Sequence, residues 1–88
     1  MNRIKLIELG RQFLEKKISA EKFAEDIVFE RRKLYGVHET DKAVDKCGGE
    51  LFIIADCYNP DMNREDYELD ETTLRIEVKA LLEKFNLL

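Results

Sequence analysis

Between Asp56 and Glu71 the chain carries seven acids, namely Asp56, Asp61, Glu65, Asp66, Glu68, Asp70 and Glu71, against a single base, Arg64. Carboxylates at this density offer three kinds of chemistry: cation ligation, acid–base catalysis, or attraction of a basic surface. Calcium ligation fits poorly. Asp61, Asn63 and Glu65 match positions 1, 3 and 5 of an EF-hand loop, but Asp66 stands where the turn needs Gly and Thr72 where the bidentate Glu belongs. Acid–base catalysis needs a cleft that drives two carboxyl pKa values apart, and a chain of 88 residues offers little cleft. The remaining chemistry is the bland solvated face, with Asp70 and Glu71 favouring a helix N-terminus, or a binding surface for something positive.

The other candidate groups are sparse. His38 is the only histidine, and Cys47 and Cys57 are the only cysteines. A Cys–His nucleophile would need tertiary coincidence, and no CxxC-type pair suggests zinc. No glycine-rich phosphate loop is present. If one helix holds both cysteines, its rise of about 1.5 Å per residue sets them ~15 Å apart, too far for a disulfide. The expectations are therefore no enzyme, no cofactor and no metal.

These residues need elements to position them. The segment from about Arg3 to Lys16 carries Leu6, Leu9 and Phe13 on one side, flanked by Ile7 and Leu14, an apolar stripe suited to a packed helix. Ser19 is an N-cap candidate for a second helix, with Ala20, Phe23, Ile27 and Leu34 on one face and Gly36 as a stop. In the third segment Val44, Cys47, Leu51, Ile54 and Tyr58 step by three and four. Thr40 or Asp41 caps its start, and Asn59-Pro60 is expected to end it. Gly48 and Gly49 weaken it by about 1 kcal/mol each relative to Ala, and permit close helix approach or a local break. The fourth segment has Leu74, Val78, Leu81, Phe85 and Leu88, with Asp70 as N-cap. The pattern predicts an all-α, antiparallel up-down four-helix bundle, a single domain over 1–88, with 59–70 as its longest link.

Charge divides unevenly along this frame. Residues 1–33 carry nine Lys/Arg and six Asp/Glu, a net +3; residues 34–88 carry six and thirteen, a net −7. The acidic half repels phosphates, which argues against direct nucleic-acid binding. The basic run Arg31-Arg32-Lys33 complements the dipole at a helix C-terminus, and Arg31, close to the apolar face, is expected to pair with an acid inside the bundle. Phe29 points off its helix's apolar face and could extend a partner surface. No run approaches the roughly 20 apolar residues of a membrane span, and MNRIKLIELG lacks a signal-peptide pattern. A cytoplasmic location with reduced thiols is expected.

An ordered set of stretches carries a family likeness: FERRKLYGV from Phe29 to Val37, CGGELF from Cys47 to Phe52, NPD…YELD from Asn59 to Asp70, and RIEVKALLEKF from Arg75 to Phe85. Together they resemble the colicin D immunity protein family over essentially the whole chain. The resemblance implies a four-helix bundle, monomeric when free. It would bind a tRNA-cleaving bacteriocin nuclease domain one-to-one, covering the active site and the basic tRNA groove with carboxylates in place of substrate phosphates. By position Asp56 and Asp61 match acidic contact positions of the family. With Glu65, Asp66 and Glu68 they form the expected toxin-binding set. A different reading of the same bundle is a small helical adaptor that holds a partner helix in a groove.

Overall fold

A computed structural model describes residues 4–33 and 41–88. Arg3, Leu34, Tyr35, Gly36, His38 and Thr40 lie outside the described residues. Among the described residues there are four helices: α1 (Ile4–Leu14), α2 (Ala20–Lys33), α3 (Lys42–Asp56) and α4 (Glu71–Lys84). Among the described residues the rest is turn, loop and one isolated bridge between Tyr58 and Leu69.

The starts of α2, α3 and α4 each have a side-chain acceptor for an otherwise orphaned N–H. Ser19 Oγ accepts from Lys22 N–H at 3.1 Å. Asp41 Oδ1 accepts from Ala43 and Val44 N–H at 2.9 and 3.2 Å. Asp70 Oδ1 accepts from Thr73 N–H at 2.8 Å. Two helix ends use a residue in the left-handed region. At the end of α1, Lys16 has φ 63°, and the Lys16 and Lys17 N–H groups return to the Phe13 and Gln12 carbonyls. At the end of α4, Asn86 has φ 56°, and Asn86 and Leu87 return to Glu83 and Leu82. Both are Schellman closures made without glycine.

The core contains Leu6, Ile7, Phe13, Phe23, Ile27, Leu51, Leu74, Val78 and Leu82, each fully buried. Phe13 and Phe23 stack with ring centroids 4.7 Å apart. Arg75 of α4 lies over the Phe13 ring, 4.2 Å from its centroid, and donates to the Phe13 carbonyl. That contact joins the end of α1 to the start of α4, so the two run antiparallel. Glu21, at the start of α2, accepts a hydrogen bond from Tyr58, just past the end of α3, which sets α2 and α3 antiparallel too. Helices α1 and α3 each pack against the other three, with α2 and α4 on the outside. The fold is the expected four-helix bundle.

Three details differ from the sequence pattern. Helix α3 stops at Asp56, before Tyr58, because the chain turns there to pair with Leu69. On α4 the buried row is Leu74, Val78 and Leu82; Leu81 and Phe85 flank it, and Leu88 is exposed. The glycine pair does not break α3. Gly48 is buried within it, and a Cβ on Gly49 would meet nothing within 4 Å. A close approach is made at Gly10, where a Cβ would lie 3.4 Å from Leu82 Cδ1 and 3.5 Å from Val78 Cγ1.

Candidate functional site

The acidic link is a closed loop. Its base is two backbone bonds: Leu69 N–H donates to the Cys57 carbonyl at 2.8 Å and Asn59 N–H to the Leu69 carbonyl at 2.9 Å. With its ends this close, the segment is a compact surface Ω-loop. Half-buried Leu69 packs against the core and ties the loop to the bundle.

Inside the loop, polar side chains meet backbone groups. Asn59 Oδ1 accepts from Asp61 N–H at 2.9 Å, and Asp61 Oδ1 accepts from Asn63 N–H at 3.0 Å, two successive Asx turns. Glu68 Oε1 accepts twice, from Glu65 N–H at 2.8 Å and from Asn59 Nδ2 at 3.2 Å. Arg64 turns inward: Nη1 donates to the Asp61 carbonyl at 2.7 Å, and Nη2 lies 3.7 Å from Asp70 Oδ2. The Asp70 carboxyl is held below the usual carboxylate range, first by the Thr73 N–H and to a lesser degree by Arg64.

The expected site residues thus fall into different positions. Asp61, Glu65, Asp66 and Glu68 share the closed loop. Within it, Glu65 and Asp66 are exposed and their carboxylates have no ion-pair partner among the described residues. Asp61 and Glu68 each commit one oxygen to holding the loop, a role that acid counting does not reveal. Asp56 is exposed on the last turn of α3 and borders a groove shared with Val28, Arg31 and Arg32 of α2 and with Phe52. Its surroundings are mixed in charge, unlike those of the loop acids.

Sequence reasoning missed two loop side chains. Tyr67 is 69% exposed and Met62 92% exposed, on the same loop as the unpaired acids. The signal was present, an aromatic set inside a charge run. Phe29 is also exposed, with the Lys33 ammonium 4.4 Å from its ring centroid. Arg31 does not pair with an acid among the described residues. Its guanidinium lies over Phe52, 5.8 Å from the centroid, and its buried Nε has no hydrogen-bond partner among the described residues. The aromatic ring takes the place expected for a carboxylate.

The cysteines and the other metal-ligating groups can be placed only among the described residues, outside which His38 lies. Both cysteines are free. Burial, and then Glu50, push the Cys47 thiol up to about 11, so it stays protonated at neutral pH. Among the described residues no group of three or more His, Cys, Asp or Glu side chains is arranged to hold a metal ion. No helix there is long and apolar enough to cross a membrane. The described surface carries an ordered acidic loop and, at Asp56, a groove of mixed charge.

The profile of a family described as bacterial self-protective colicin-like immunity matches residues 1–85. The chain belongs to the colicin-like immunity family. It is therefore a bacteriocin immunity protein, and its partner is a cognate toxin. No curated protein sequence shows significant similarity to this immunity protein.

Proposed function

We propose that the toxin is a tRNA-cleaving nuclease and that this immunity protein blocks it one-to-one in the cytoplasm, as a single domain that does not itself touch nucleic acid. The observation that supports this reading is the division of charge in the loop. Its one base, Arg64, is spent on internal bonds, while Glu65 and Asp66 face solvent unpaired. A rigid display of carboxylates with the counter-charge turned inward complements a toxin surface that must itself bind tRNA phosphates. Asp56, Asp61, Glu65, Asp66 and Glu68 are the proposed contacts, with Asp61 and Glu68 offering their second oxygens. Opposed fields raise association towards ~10⁸ M⁻¹s⁻¹ at low salt. Buried carboxylate–Lys/Arg pairs then slow release, and the seated bundle excludes tRNA.

The test removes charge while keeping the loop's acceptors. Asp56→Asn, Asp61→Asn, Glu65→Gln and Asp66→Asn are combined in one variant. It should remain folded, since exposed changes alter stability by about 0.5 kcal/mol or less each, about 2 kcal/mol at most for the four. It should bind the toxin at least about 30-fold more weakly, following the 2–5 kcal/mol cost of truncating one buried interfacial charge. It should also fail to protect tRNA from cleavage. Wild-type affinity in this variant refutes the acidic surface. Loss of binding on Ile53→Ser instead would favour the adaptor reading, because Ile53 is 60% exposed on α3 and lines the groove towards α4.

A further inference from the structure

We infer that Tyr67 is the anchor of the toxin interface, inserting its ring into an apolar notch rimmed by Lys or Arg side chains that Glu65 and Asp66 engage. This deepens the proposed function and rests on its reading of the partner as a basic nuclease domain. Three observations carry it. The loop sorts its large apolar side chains: Leu69 packs on the core, whereas Tyr67 and Met62 stand out in water at 69% and 92% exposure. Neither is used by the bundle. The backbone beneath Tyr67 is already fixed, since Glu68 N–H donates to the Glu65 carbonyl at 3.0 Å and the Glu68 carboxylate accepts from Glu65 and Asn59. Docking therefore orders little more than the side chain, and a tyrosine has only two torsions to lose. Finally, Glu65 and Asp66 stand exposed and unpaired one or two residues away, so only a partner of opposite charge can bring this patch into contact. An aromatic centre with a charged rim is the composition of an interface hot spot. A tyrosine face also attracts the cations that such a partner carries.

The division of labour follows. Long-range attraction depends on total charge and is shared by any basic toxin, so the acids set the rate of encounter. The fit of one ring into one notch depends on shape, so Tyr67 sets residence time and distinguishes the cognate toxin from other basic ones.

The experiment measures association and dissociation of the purified immunity protein with the cognate toxin domain at several salt concentrations. Tyr67→Ala, Tyr67→Phe and the Glu65→Gln/Asp66→Asn pair are compared, and thermal melts confirm that each is folded. Tyr67→Ala should dissociate about 30-fold faster or more, the range of a hot-spot residue. Its association rate and salt slope should stay within about threefold of wild type. Tyr67→Phe should behave as wild type, because the ring is the anchor. The acid pair should show slower association and a shallower salt slope. A wild-type dissociation rate in Tyr67→Ala overturns the inference, as does a Tyr67→Phe loss equal to that of Tyr67→Ala. If Tyr67→Ala dissociates fast while the acid pair matches wild type, the anchor stands and the acidic reading fails.

Discussion

Replacing Glu68 with alanine separates the loop's architecture from its charge. The carboxylate accepts two hydrogen bonds at one oxygen, from Glu65 N–H at 2.8 Å and Asn59 Nδ2 at 3.2 Å. Hydrogen bonds to a charged group contribute about 1.5–3 kcal/mol when well buried. Here Glu68 is half-buried and Glu65 exposed, so screening brings each nearer to about 0.5–1 kcal/mol. Glu68→Ala should then cost about 1–2 kcal/mol. For a chain of this size that lowers the melting temperature by roughly 4–16 °C and the urea midpoint by about 1 M. Glu68→Gln keeps a side-chain acceptor and should cost about half as much. Asp66→Ala, which removes the same charge from the same loop but no internal bond, should stay within about 0.5 kcal/mol of wild type. Urea unfolding of the three variants, followed by circular dichroism, gives the comparison. If Glu68→Ala and Asp66→Ala unfold at the same midpoint, the loop is not held by this carboxylate.

Two further predictions concern the bundle. Gly49→Ala should stabilise the protein by up to about 1 kcal/mol, raising the melting temperature by roughly 4–8 °C, because the new methyl meets nothing within 4 Å; a lowered melting temperature would contradict this. The Tyr58–Glu21 bond should be sensitive to pH at both ends. The Tyr58 hydroxyl holds the Glu21 carboxyl below its ordinary range, so that stability is present above the range and is lost as the pH falls through it. Burial first, and Glu21 second, push Tyr58 up to about 12, so the corresponding term is present below about 10 and is lost as the pH rises towards 12. The melting-temperature gap between wild type and Tyr58→Phe should be largest near neutral pH and shrink on both sides; a constant gap would contradict it.

The bundle was legible because burial follows spacing. Val44, Cys47 and Leu51 step along one face of α3 and all three are buried. Ser19, Asp41 and Asp70 are good cap residues and each caps a helix. What could not be read was decided by contacts between elements. Leu82 belongs to the core in place of Leu88 because α4 is seated by Gly10 of α1, a residue whose sequence neighbours say nothing of α4. Arg31 met Phe52 across the α2–α3 contact. In the loop the acids were visible as a set, but their division into structural and exposed members depends on which oxygen meets which N–H. Lys16 shows a local limit: nothing about a lysine announces the left-handed φ that the Schellman closure of α1 requires.

The backbone bonds at the base of the loop bear on how such a protein diversifies. Cys57, Asn59 and Leu69 close its base through main-chain atoms, and the internal side-chain bonds come from Asn59, Asp61, Arg64 and Glu68, so neither makes a demand on the side chains at 62, 65, 66 and 67. Positions such as 62, 65, 66 and 67 can therefore change with little penalty to the helices beneath. On the proposed reading, in which the tip meets the toxin, a lineage facing an altered toxin rewrites the tip in single steps while keeping the same scaffold. Grafting the tip from a relative is the laboratory version of that history.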